Sequence, residues 1–199
     1  MAAWQDALDY HLYFEEWWAR DIEYMVRRDR NHPCVITYSI GNEITERDGG
    51  NDGAEWSRKL AAKVREFDST RFVTSAICGV FPEPEVEDDE DDSAGTNFDL
   101  NLMQDNSVWN KATENYCKPL DIVGYNYLRD VYEESHELFP ERVMIGTETH
   151  SFTTYDYWKK VEELPYVIGV SAGACNAVDL RFQSDPSDQG VYAGCTARQ

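Results

Sequence analysis

The sequence predicts a parallel α/β fold and, within that class, a partial (β/α)8 TIM barrel. Three observations carry this. Four β-branched, apolar strands alternate with amphipathic helices; the strands are apolar on both faces, as in a sheet covered by helices; and Asn42, Glu43, Asn126, Tyr127 and Glu148 fall at strand C-terminal ends. A doubly wound sheet satisfies the first two. The third favours a barrel, because barrel enzymes gather their chemistry at that end of the strands. Four strands do not close a ring of eight, so the chain is expected to be incomplete at both ends, a fragment or a half that needs a partner.

The elements follow in order. Over 10–30, Leu12, Phe14, Trp17, Trp18, Ile22, Met25 and Val26 recur at spacings near three and four with charges between them, which predicts a helix. Asn31-His32-Pro33 ends it, since proline disfavours helical geometry in the residue before it, and His32 is expected to brace the turn. The run 34–40 reads as a strand buried on both faces, closed by Gly41-Asn42-Glu43. A helix over 54–67 and a strand over 71–77 repeat the pattern. The stretch FPEPEVEDDEDDSAGTNFDLN has no apolar face to bury, so 82–101 is expected to be an exposed acidic loop. Its run from Glu83 to Asp92 lacks the D-x-D-x-D-G spacing of a calcium loop. Then come a helix near 107–116, a strand over 121–127, a helix over 132–138, a strand over 143–148 and a helix over 155–164. After Tyr166-Val167-Ile168-Gly169 the composition turns to Gly, Ala, Ser and Asp with weak apolar periodicity. The expected organisation is therefore a barrel segment over 1–169 and a divergent, disordered tail over 170–199.

Composition excludes more than it identifies. With 199 residues, 42% of them hydrophobic and 13% aromatic, the chain belongs with ordinary globular proteins. A formal net charge of -20 repels phosphate backbones and anionic lipid headgroups, which argues against nucleic-acid and membrane partners. A neutral sugar meets no such penalty. No apolar run of about 18 residues is present, and the first residues lack a signal-peptide pattern, so a cytoplasmic location is the default expectation. Cys34, Cys78, Cys117, Cys175 and Cys195 are odd in number and without CxxC spacing, against a disulfide framework or a zinc site. The first three are expected to be small buried apolar residues; a bridge between Cys175 and Cys195 stays open. The tryptophans at helical spacing are expected in the core.

Chemistry concentrates in two carboxylates. Alone, Glu43 reads as a solvated residue after a strand, but Glu148 repeats the arrangement after Met144-Ile145-Gly146-Thr147. Two such groups facing each other across one end of a parallel sheet form the pair that glycoside cleavage needs, one proton donor and one nucleophile or base.

The segment RDRNHPCVITYSIGNE, residues 28–43, resembles the acid/base signature of the glycoside hydrolase family 2 catalytic barrel, and DIVGYNYL and ERVMIGTET look like that family's sixth and seventh strands. The resemblance runs in order from about 10 to 169. It implies barrel strands 4 to 7, Glu43 as general acid/base, Glu148 as nucleophile, and retention of configuration, for which the carboxyl groups should lie about 5–5.5 Å apart. It further implies Asn42 on the sugar 2-hydroxyl, Tyr127 as the phenol bonded to the nucleophile with Tyr125 and Asn126 in the same motif, and Asn126 and His150 as further substrate contacts. The ligand is then a carbohydrate, with β-galactosidase-type members favoured. No cofactor is expected, and no ligand set for a divalent or monovalent cation is evident. The alternative is a non-catalytic carbohydrate-binding or structural remnant of such an enzyme.

Overall fold

The computed structural model describes residues 10–48, 52–79 and 110–171. The acidic loop 82–101, Trp4, Trp109, Cys175, Cys195 and the tail from 172 lie outside them. The described residues form one parallel sheet in the order β1-β2-β3-β4-β5, made of β1 (Thr37–Asn42), β2 (Phe72–Ile77), β3 (Ile122–Asn126), β4 (Met144–Glu148) and β5 (Val167–Val170). The helices are α1 (Phe14–Asp29), α2 (Gly53–Phe67), α3 (Glu114–Cys117), α4 (Tyr132–Leu138) and α5 (Thr154–Glu163). Strand neighbours in sequence are neighbours in the sheet, and every pair is parallel, as a segment of a β/α barrel requires.

The core forms two clusters. Val26 of α1 and Ala61 and Val64 of α2 pack on Tyr38 and Val73. Around β2 to β5, Ile77, Val123, Tyr125, Met144 and Val167 pack with Tyr116, Tyr132 and Tyr157 from α3, α4 and α5. Between α1 and α2, Phe14 and Trp18 meet the Trp56 ring edge-on, with centroids 4.9 and 5.5 Å away. Trp17, Trp18 and Trp56 are half-buried and belong to neither cluster, and Trp158 stands half exposed and donates to Glu162, so the described tryptophans expected in the core lie at its margin. At the start of β3, Asp121 ties two strands and a helix together: its Oδ2 accepts from Val73 N and from Arg65 Nη2, both at 2.8 Å.

Two expectations need correction. The strand expected over 34–40 with both faces buried is Thr37–Asn42, and of its six residues only Tyr38 is buried. Ile36 is 68% exposed and Cys34 is exposed rather than buried, whereas Cys78 and Cys117 are buried. The reason is register. Pairing begins at Thr37↔Phe72, so 34–36 precede the first partner, and β1 is an edge among the described residues. Second, the sheet has a fifth strand, β5, whose extension is fixed where Ser171 N donates to Gly146 O at 2.7 Å. His32 braces its turn as expected, and does so through the backbone: its carbonyl accepts from Val35 N at 3.1 Å and Arg71 Nη2 at 3.4 Å, while its side chain is exposed.

No helix among the described residues is long and apolar enough to cross a membrane.

Candidate active site

Two irregularities in the ladder shape the C-terminal end of the sheet. Between Ser39↔Thr74 and Asn42↔Ala76, β1 advances three residues against two on β2; between Tyr125↔Gly146 and Asn126↔Glu148, β4 advances two against one on β3. Such bulges bend the strand and re-aim its side chains. Beside them, Glu43 and Tyr127 adopt left-handed backbone, at φ 50° and 59°. Regular alternation would aim neighbours at opposite faces. The turn at Tyr127 breaks that rule, so Asn126 and Tyr127 both reach carboxylates at the strand ends.

The contacts are specific. Tyr127 Oη donates to Glu148 Oε2 at 2.8 Å, and Tyr127 N donates to Glu148 O at 2.9 Å. Asn126 Nδ2 donates to Glu43 Oε1 at 3.0 Å and to Asn42 Oδ1 at 3.1 Å. Thr147 Oγ1 donates to Asn126 Oδ1 at 2.6 Å. Glu43 N is held by Ala76 O at 2.9 Å. Five of the six site residues named from the sequence thus fall in two adjoining hydrogen-bonded groups, Asn42, Glu43 and Asn126 with Thr147, and Tyr127 with Glu148, which meet where 126 adjoins 127 and 147 adjoins 148 in the chain. His150 joins through its ring, 4.7 Å from that of Tyr127, and Phe152 stacks on its other side at 5.2 Å. Tyr125, the motif's other tyrosine, is fully buried and accepts from Arg142 Nη1, away from the carboxylates.

The electrostatics follow from this placement. Partial burial, the hydrogen bond to Glu148, and the charges of Glu148 and Glu43 together push the Tyr127 phenol well above the ordinary tyrosine value. Burial pushes the Cys78 thiol up to about 11; Arg47 pulls it down, while Glu43 and Glu148 both add to the rise, so this thiol lies within the field of both carboxylates. Among the described residues no group of three His, Cys, Asp or Glu is placed to hold a metal ion.

Sequence reasoning missed two residues. Arg47 is 4% exposed and donates to the carbonyls of Ile44 (2.8 Å), Cys78 (2.9 Å) and Gly79, fastening the 3-10 turn after β1 to the end of β2. In sequence it is one charge in a polar stretch. In sequence Thr147 is the last strand residue before Glu148 and carries no signal of its own. Only the bulge gives it a partner on β3, and the one-letter text carries no sign of a bulge.

The profile described as glycosyl hydrolases family 2, TIM barrel domain, matches residues 13–133. Among curated proteins, the β-galactosidase BoGH2A of Bacteroides ovatus is 27% identical over 179 residues, covering 81% of this chain and 19% of that protein. A putative β-glucuronidase of Formosa agariphila is 37% identical over 62 residues, 31% of this chain and 5% of that protein. Among solved structures, a glycosyl hydrolase family 2 member from Bacteroides cellulosilyticus superposes with a TM-score of 0.66 at 32% identity, covering 83% of this chain and 18% of that one. The chain therefore spans about a fifth of the length of the first relatives it matches.

Proposed function

This chain belongs to glycosyl hydrolase family 2 and carries part of its TIM barrel domain, and from that premise we propose that it contributes the carboxylate pair of a retaining β-glycosidase, with a β-galactosidase-type substrate favoured. Glu148 attacks the anomeric carbon while Glu43 gives its proton to the glycosidic oxygen. The carbon–oxygen bond breaks, the leaving group departs as an alcohol, and a glycosyl ester to Glu148 remains. Glu43, now ionised, takes a proton from water; that water attacks the anomeric carbon and frees Glu148, and two inversions give net retention.

The observation that supports this reading is that adjacent residues at one end of the sheet hold the two carboxylates, Asn126 holding Glu43 and Tyr127 holding Glu148, and that both carboxylates act on the Tyr127 phenol. A phenol raised above its usual value stays a donor across the neutral range, keeping the nucleophile ionised and aimed. Asn42 gives its oxygen to Asn126, which leaves its own N–H groups for a sugar 2-hydroxyl. His150 is exposed beside Tyr127, within reach of another sugar hydroxyl. The favoured sugar rests on the Gly-Asn-Glu-Ile and Gly-Thr-Glu-Thr wording and on the β-galactosidase among the relatives.

The test is hydrolysis of nitrophenyl β-glycosides followed by proton NMR of the first product. The expected outcome is the β-anomer first, turnover abolished by Glu148→Gln, and a loss of about 10²- to 10⁴-fold in Glu43→Ala for poor leaving groups. An α-anomer formed first, or hydrolysis that survives Glu148→Gln, overturns the mechanism. A carbohydrate-binding chain without catalysis is the second reading, favoured by the unpaired outer sides of β1 and β5 among the described residues. It would show glycoside binding in calorimetry with no product.

A further inference from the structure

We infer that Thr147 is a positioning residue for the carboxylate of Glu43, acting through Asn126, so that the strand bearing Glu148 also sets the orientation of its partner group. This inference rests on the proposed glycosidase reading.

The geometry is a relay across four strands. Thr147 on β4 donates to Asn126 Oδ1 at 2.6 Å, and Asn126 on β3 donates to Glu43 Oε1 at 3.0 Å and Asn42 Oδ1 at 3.1 Å at the end of β1. β2 lies between β1 and β3, so a flat sheet would separate those strands by about 9.5 Å. The reach is left open by Ala76, the β2 residue paired with both Asn42 and Gly124, whose side chain is too short to intervene.

The direction of the relay is determined by chemistry. Glu43 Oε1 is the accepting oxygen, and a carboxyl keeps one accepting oxygen whether or not the other carries the proton, so the amide turns its N–H groups to Glu43, which leaves its carbonyl oxygen facing β4. Asn126 is 1% exposed, so water is a poor substitute there, and the Thr147 hydroxyl is the donor that the structure provides. Both N–H groups of Asn126 are engaged, so the amide has no donor left for a sugar; its task is holding its neighbours. The β4 bulge brings Thr147 over β3, and Gly124 leaves the room: a Cβ there would stand 2.7 Å from Thr147 Cγ2 and 2.9 Å from Oγ1.

The experiment uses the full chain and three variants, Thr147→Val, Thr147→Ser and Glu43→Gln, each checked for a cooperative melt. The first readout is the side-chain amide resonance pair of Asn126 in a proton–nitrogen correlation spectrum. It is expected to be displaced from the exposed asparagines, to shift in Thr147→Val and in Glu43→Gln, and to stay in place in Thr147→Ser. An Asn126 pair unmoved by both Thr147→Val and Glu43→Gln in folded protein overturns the relay. The second readout is the leaving-group dependence of hydrolysis. Thr147→Val is expected to lose at least about tenfold in kcat/KM on a phenyl glycoside, whose bond cleavage needs a proton from Glu43, and less than about twofold in kcat/KM on a dinitrophenyl glycoside, whose bond cleavage does not. Thr147→Ser restores the first. Equal losses on both substrates overturn the positioning role. Absence of turnover in the unaltered chain counts against the glycosidase reading, and the amide resonances then decide the relay by themselves.

Discussion

At the scale of single residues the site is a set of donors aimed at two carboxylates, and the phenol of Tyr127 is the one whose removal should be simplest to interpret. Tyr127→Phe deletes the 2.8 Å bond to Glu148 and keeps the ring against His150. A hydrogen bond to a charged group contributes about 1.5–3 kcal/mol, so kcat on an aryl glycoside is expected to fall roughly ten- to a hundredfold. The melting temperature should barely move, because Tyr127 is 39% exposed and water can take the place of the lost bond. A fall in kcat below threefold would remove Tyr127 from the mechanism. Which residues were legible in the sequence follows from how they are held. Glu43 and Glu148 stand out because each closes an apolar run at the C-terminal end of a strand, and the second repeats the arrangement of the first. Thr147 and Arg47 did not, because each works through backbone detail: a bulge in one case, three carbonyls in the other.

At the scale of elements, close backbone approach decides what the loops tolerate. The first residue of α2, Gly53, lies against the 3-10 turn Thr45–Asp48 that follows Glu43, and a Cβ at Gly53 would meet Glu46 O at 2.1 Å. Alanine gains up to about 1 kcal/mol in a helix relative to glycine, but the clash with backbone costs about 1–3 kcal/mol, so the net sign is destabilising. Gly53→Ala should lower the melting temperature by a few degrees at roughly 2–4 °C per kcal/mol. A rise in melting temperature would show that the turn yields freely. Helix 132–138 coincides with α4, and helix 54–67 differs from α2 by one residue, because amphipathic periodicity is a local property. The β1 boundary was misplaced by three residues because only the pairing Thr37↔Phe72 determines where that strand starts, and pairing is not local.

At the scale of the whole molecule, buried acids of high pKa tie stability to alkaline pH. Burial raises Cys117 from 9.0 to about 11 and Tyr116 from 10.0 to about 12, and Cys78 likewise rises to about 11. Folded-state values above the unfolded ones mean that the native chain keeps protons the unfolded chain releases. Their stabilisation is whole below about pH 9 and is lost as pH climbs through 11 to 12, on the order of 2 kcal/mol per thiol. The urea midpoint should fall steadily from pH 9 to pH 11, and Cys117→Ala should flatten that decline; a midpoint independent of pH over this range would contradict it. The left-handed backbone at Glu43 and Tyr127 has a consequence of another kind. Each such residue with a Cβ is unfavourable by about 1 kcal/mol, and glycine or asparagine relieves most of it. Selection for folding alone would therefore discard these two side chains early, and a descendant bearing glycine at both would be a sturdier protein without the carboxylate and phenol of the proposed site.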